Sequence, residues 1–453
     1  MLSRSSRRTV EVLKPGELLR APLFHTPRNP FLEDRALVCH WDGGLLLRNG
    51  RIGACGDYSA IRAQHPDAAT VDLRGGFLLP GFIDTHTHYP QLQVIGNLGR
   101  SLLDWLENYA LPEEARMADP LYARHAAQQF IRALASHGTT TALIFGAHFA
   151  PATAELFEAA SVTGLRVLSG LVLSDRRLCH ALHQTPDAAY RESLALIRRF
   201  HGQGRLLYAV TPRFALSTSE AMLEVCQTLM REHPGLRLQT HLNEHPAEIA
   251  QVKNLFPWAA DCLAVYERFG LSSPNAVMAH NLHPADSEIE RLAAAGTAIS
   301  HCPSSNAMLG SGWFPMRRHI AAGVRCALGT DVGAGAGFGM LKEALQAYLL
   351  QRIAPHGMML DPARLLYLAT RAGAEALGLA HEIGDFEVGK AADLLYLRPV
   401  PKSPLAAIVD QAGNPERILA ALFTLAGQES VREVRVDGVV VFQSSLDSPA
   451  KIV

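Results

Sequence analysis

Residues 82–88 read FIDTHTH, an apolar opening that runs into two histidines one position apart, and how this stretch is read decides the fold. Side chains alternate along a strand, so a strand here sends His86 and His88 to the same side. Seven further β-rich runs follow it: TTTALIF at 139–145, RVLSGLVL at 166–173, LLYAVTPRF at 206–214, LRLQTHLNE at 236–244, AVMAHNL at 276–282, TAISHCP at 297–303 and RCALGTD at 325–331. The spacers between them are long enough for helices. Those at 118–138, 219–235 and 287–296 carry apolar residues at three- and four-residue spacing and end on a glycine. Eight alternating units predict an α/β chain with a (β/α)₈ TIM barrel.

Outside this region short β-type runs stand on both sides. The runs GGLLLRNGRIGACG at 43–56 and TVDLRGGFLLPG at 70–81 precede it, and KAADLLYLRP at 390–399 and VREVRVDGVVVFQ at 431–443 follow. Asn49-Gly50 between two apolar runs predicts a hairpin with a two-residue turn. The expected organisation is a barrel at 79–384 inserted in a small β-sandwich domain, whose parts are residues 1–78 and 385–453.

Composition narrows the function classes. The chain has 453 residues, 48 % hydrophobic and 19 % charged, and its 42 Lys and Arg against 43 Asp and Glu give a net charge of −1. No global field favours nucleic acid or an anionic membrane. Seven scattered cysteines without a C-x-x-C pair read as reduced thiols of a cytoplasmic protein. No run approaches the roughly 18 apolar residues of a membrane span. Ser6-Arg7-Arg8 looks like part of a twin-arginine signal, but Glu11, Lys14, Glu17 and Arg20 interrupt the apolar region it would need. The polar first 20 residues are expected to form a mobile or surface-draped arm.

Six of the eight predicted strands end in a group of catalytic type: His86 and His88, Arg213, His241 and Glu244, His280, His301 and Asp331. In a TIM barrel these ends meet on one face. Three imidazoles, His86, His88 and His241, with the Asp331 carboxylate make a set suited to one zinc ion, ferrous iron being the other cation it accepts. A fifth protein ligand would close the open position catalysis needs, so His280 is expected beside the metal, bonding water or a developing oxyanion. Glu244 is placed to exchange protons with a water there, and Asp331 to share that task. Arg213-Phe214 pairs a cationic donor fork with an aromatic face, and Gln91 adds an amide, together fitting a flat polar heterocycle. Trp105 and Trp313 are candidates for the same wall or for the core. The glycine-rich run after Asp331 lacks a P-loop lysine and is read as a tight turn.

The stretch PGFIDTHTHYPQ resembles the first-strand motif of the amidohydrolase superfamily, and its HYPQ ending resembles the guanine deaminase family within it. SLLDWLENYALPEEARM, TPRFALSTSE, QTHLNE, AVMAHNL, ISHCPSSNAMLGSG and ALGTDVGAGAG match in the same order, over about residues 25–445. The resemblance implies hydrolysis of guanine to xanthine and ammonia by a one-zinc barrel enzyme that is a cytoplasmic homodimer. It carries zinc ligation to His86, His88, His241 and Asp331 and the proton shuttle to Glu244. Substrate contact passes to Gln91, Arg213, Phe214 and His280, with His88, His241, Glu244 and Asp331 bordering the same ring. Residues 172–176 and 145–148, His148 included, depart from the family pattern and bear on the choice of ring. Related aminohydrolases and chlorohydrolases of other purines, pterins or triazines share the ligand set. A different reading takes His241-Leu-Asn-Glu244-His245 as the H-x-x-E-H motif of a zinc peptidase, against which stand the strand before it and Pro246 after it.

Overall fold

The computed structural model describes residues 16–445. Eight parallel strands form a barrel: β1 Phe82–His88, β2 Thr139–Phe145, β3 Arg166–Gly170, β4 Leu206–Pro212, β5 Arg237–Leu242, β6 Ala276–His280, β7 Ala298–His301 and β8 Cys326–Leu328. Each pairs with its neighbour in chain order, and Val172–Leu173 continues β3 alongside β4. The ring closes where Asp331 N–H donates to the His86 carbonyl at 2.8 Å and His88 N–H donates to the Val332 carbonyl at 2.8 Å. β1 and β2 are buried at every position, because side chains fill the barrel on one face and helices cover the other.

The expected helical spacers fold at Pro120–Ser136, Glu220–Glu232 and Asp286–Ala295. The Asp119 carboxylate and the Ser219 hydroxyl cap the first two by accepting from free N–H groups of the first turn. Phe130, Ile131 and Leu134 lie on the stripe the first helix turns to the barrel.

Gly170 shows how closely the strands approach. A Cβ at this position would lie 1.9 Å from the Ala209 carbonyl oxygen. Gly170→Ala is therefore expected to cost about 3 kcal/mol, the upper end for overpacking a core, and calorimetry of the variant would read it as a lowered unfolding temperature.

Both chain ends build a second sheet, in the order Val439–Gln443, Val431–Val436, Leu394–Leu397, Phe77–Pro80, Glu17–His25, Val38–Arg48, Arg51–Asp57, with Ala69–Asp72 also on Glu17–His25. The sandwich expected here takes the form of one continuously bonded, mainly antiparallel sheet. One of its cores joins Leu19, Leu23, Leu45 and Leu78 to Phe386 and Leu394 from the other end of the chain. The expected boundary between residues 78 and 79 falls inside the strand Phe77–Pro80. Asn49 and Gly50 form the expected turn with φ of 51° and 77°, and a Cβ on Gly50 would sit 2.8 Å from the carbonyl oxygen of Asp437 in the facing hairpin.

The polar arm expected over the first 20 residues does not extend to its last four. Glu17–Arg20 already belong to a strand, because Leu18 and Leu19 are buried; residues 1–15, with the Ser6-Arg7-Arg8 stretch, lie outside the described residues. Among the described residues no helix is long and apolar enough to cross a membrane. All seven cysteines are free.

Candidate active site

Four nitrogen and oxygen donors converge at the C-terminal mouth of the barrel. His86 and His88 come from the end of β1, His241 from β5, and Asp331 stands three residues past the end of β8. His88 Nε2 lies 3.2 Å from His86 Nε2 and 3.3 Å from His241 Nε2. Asp331 Oδ1 lies 3.3 Å from His86 Nε2 and 3.2 Å from His88 Nε2. Donors about 2.1 Å from a tetrahedral zinc are separated by about 3.4 Å, close to each of these separations. His86, His88 and Asp331 form one cluster able to hold a metal, and His86, His241 and His280 another that overlaps it.

The protonation states suit the same use. His241 Nδ1–H donates to the Arg213 carbonyl at 2.6 Å, which leaves the Nε2 lone pair aimed at the cluster. Burial lowers the pKa of all three imidazoles, taking His88 to about 4. Burial raises the Asp331 carboxyl, but bonds from His86 and His88 outweigh it and hold the group well below the usual range. Neutral imidazoles and a charged carboxylate are the forms that bind zinc.

The backbone is bent to deliver these groups. His280, Asn281 and Asp331 have φ of 72°, 49° and 48°, and Asn243 beside Glu244 has 48°. Left-handed conformations at residues other than glycine cost on the order of 1 kcal/mol or more each, and they gather where a site over-determines the chain. Asp84 ties β1 to the loop carrying Asp331 by accepting from Thr330 N–H at 3.0 Å and His86 N–H at 3.2 Å.

Glu244 and His280 stand against this cluster. Glu244 Oε2 lies 3.5 Å from His280 Nε2, which is itself 3.9 Å from Asp331 Oδ2. Burial, then the charges of Asp331 and Glu248, push the Glu244 carboxyl well above the usual range. His280 Nδ1–H donates to Asn306 Oδ1 at 3.0 Å, while its buried Nε2 has no hydrogen-bond partner.

Above the cluster opens a narrow pocket, bordered by His88, His241, Glu244 and Asp331 below and by Gln91, Arg213, Phe214, Trp105 and Leu309 around it. Trp105 is buried and serves both wall and core, whereas Trp313 is 44 % exposed. His301 packs on Phe314, ring centroids 4.4 Å apart, and stays out of the cluster. Arg176 donates to the Ala215 carbonyl and Asp175 accepts from Ser219 N–H, so the divergent 172–176 segment braces the loop after Arg213.

The structure adds a residue. One arm of the Arg213 fork is held: its Nη1 sits 2.7 and 2.8 Å from the two oxygens of Glu114, a buried carboxylate that sequence reasoning passed over. Gln91 Nε2 donates to the same Glu114 at 2.7 Å, and His148 Nδ1 lies 3.2 Å from it. A sequence signal existed, since Glu113-Glu114 interrupts an apolar segment already matched by resemblance. Glu113 faces Arg116 at 2.9 Å and Glu114 turns inward.

The H-x-x-E-H reading fails here. His245 caps the helix Pro246–Leu255, its ring accepting from Ala247 N–H, so it belongs to a different element from His241. The expected outcome of His245→Ala is a loss of about 1 kcal/mol of stability from the missing cap, checked by denaturant unfolding.

Residues 77–441 match the amidohydrolase family, and residues 43–68 an imidazolonepropionase-like composite domain of bacteria. A probable guanine deaminase of Deinococcus radiodurans is 54 % identical over 432 residues, which is 94 % of this chain and 98 % of the relative. The solved guanine deaminase of E. coli superposes with a TM-score of 0.91 at 37 % identity, covering 94 % of this chain and 99 % of that one. A guanine deaminase of C. acetobutylicum, solved with guanine bound in the active site, gives 0.88 at 26 % identity, covering 94 % and 100 %.

Proposed function

The chain belongs to the amidohydrolase family, and from that premise we propose that it hydrolyses guanine to xanthine and ammonia, with zinc held by His86, His88, His241 and Asp331 and protons moved by Glu244. The observation that carries this reading is the placement of a four-donor cluster and a buried carboxylic acid at the floor of a cavity whose far wall presents Gln91 and Arg213. Relatives named for guanine deamination match it across nearly the whole chain.

Zinc, when bound, supplies Lewis acidity and lowers the pKa of water into the neutral range. The chain's own residues do the rest. Phe214 offers a face for the ring, and Gln91 and Arg213 offer N–H donors to its carbonyl edge, which turns the amine-bearing carbon toward the cluster. Glu244 moves the proton: it protonates the ring nitrogen beside that carbon, then carries a proton from water to the departing amine, so that guanine and water leave as xanthine and ammonia. His280 has its Nδ1 hydrogen committed to Asn306, so its Nε2 is an acceptor and steadies the new oxygen by accepting from the hydroxyl that forms when water adds to the ring carbon. Asp331 orients the attacking water as an acceptor.

Ammonia release is the direct test, with metal-analysed protein offered guanine beside adenine, cytosine, a pterin and a triazine. Guanine should lead the series. Preference for another ring would reject the substrate while leaving the fold in place. Removing metal with a chelator should abolish turnover, and stoichiometric zinc should restore it; iron restoring it better than zinc would reassign the ion. The seven free cysteines support a reducing, cytoplasmic setting, and the family resemblance a homodimer. Sedimentation that finds only monomer would reject the latter.

A further inference from the structure

We infer that Glu114 is a positioning residue that sets which edge of a purine the cavity accepts, by turning Gln91 and Arg213 together into a wall of hydrogen-bond donors. The inference deepens the reading of guanine as substrate and rests on it. Glu114 lies on the short helix Leu111–Ala115, behind the cavity rather than on its surface. It is 2 % exposed and acts on substrate only through its partners.

The Gln91 amide alone could present either a donor or an acceptor. Its Nε2 donates to Glu114 Oε1 at 2.7 Å, and its Oε1 accepts from Gly333 N–H at 3.2 Å. Flipping the amide would set oxygen against carboxylate and N–H against N–H. The orientation is therefore fixed from both ends, and the polar hydrogen left to Gln91 is the second one on Nε2. Arg213 can only donate, and Glu114 holds one of its arms through both carboxylate oxygens.

The charge state of Glu114 supports this. Burial alone would raise its carboxyl, but Arg213, with His148 and Gln91, holds it well below the usual range, so it is an acceptor only. His148 completes the setting: Nδ1 is 3.2 Å from Glu114 and Nε2 is 2.8 Å from the Ser174 hydroxyl. Two donors side by side with no acceptor between them match a ring carbonyl. They oppose an exocyclic amine at the same position, whose hydrogens would meet hydrogens.

Calorimetric binding of hypoxanthine and of unsubstituted purine to zinc-loaded protein tests this without turnover. The two ligands lack the amine that is hydrolysed, and hypoxanthine carries the C6 carbonyl that purine does not. Wild type should bind hypoxanthine more tightly. In Glu114→Met that affinity should fall roughly 10- to 100-fold, as for loss of a supporting partner in a site, while purine binding changes little. Glu114→Gln, which keeps a neutral acceptor and the shape of the side chain, should lose less, roughly fivefold, and it decides the matter if the methionine variant does not fold. Variants that lose both ligands in equal proportion, or keep the wild-type preference, overturn the positioning role. Wild type that ignores guanine overturns the substrate reading and this inference with it, so the two failures are told apart.

Discussion

Glu244→Gln is expected to lower kcat for guanine by about 10²- to 10⁴-fold, the usual worth of a positioned general acid and base, with zinc content unchanged. The amide keeps the size of the side chain and its place 3.5 Å from His280, but it can neither give up nor take up a proton. Glu244 is not one of the four converging donors, so the ion should stay bound. Kinetics and metal analysis on the same preparation check both halves. A variant that turns over guanine at the wild-type rate would pass the shuttle to Asp331 or His280, and one that loses zinc would make Glu244 a ligand.

The second large effect is on the metal itself. His86→Ala removes one of the four proposed donors and leaves a buried carboxylate short of a partner, since Asp331 Oδ1 contacts both His86 and His88. Zinc content should drop severalfold or more, and activity with it. His245→Ala provides the contrast: the residue caps a helix, so zinc and turnover should remain. If His245→Ala emptied the site while His86→Ala did not, the family assignment of the ligands would be wrong at its centre.

How much of this could be read beforehand depended on whether a residue's meaning lay in its own strand. FIDTHTH gave the pairing of His86 and His88 because alternation is a property of the strand itself, and β1 ends on His88 as expected. His241 and Glu244 followed from the same logic and the turn at Pro246. Topology brought Asp331 to them, since a closed barrel must set the ends of β8 and β1 side by side. Glu114 escaped because its partners, Gln91 and Arg213, are 23 and 99 positions away, and the Glu113-Glu114 pair does not itself say which of the two meets them. The partner of Arg213 was hidden for the same reason: which carboxylate meets a cation is a tertiary fact. The small sheet shows the same division, with the Asn49-Gly50 turn evident from two residues and the burial of Leu19 dependent on Phe386, Ala392 and Leu394 from the other end of the chain.

That sheet also constrains the order in which the molecule can be made. Phe77–Pro80 waits for Leu394–Leu397, and Glu17 is bonded to Arg435, 418 positions later. During synthesis every barrel strand has left the ribosome before Phe77–Pro80 gains its neighbour Leu394–Leu397, so that side of it spends the interval as an open, apolar edge. The N-terminal strands and the barrel are then the parts able to form first, and the C-terminal strands complete the sheet last. A chain stopped before residue 394 would keep that edge for good, with aggregation rather than partial activity as its natural fate.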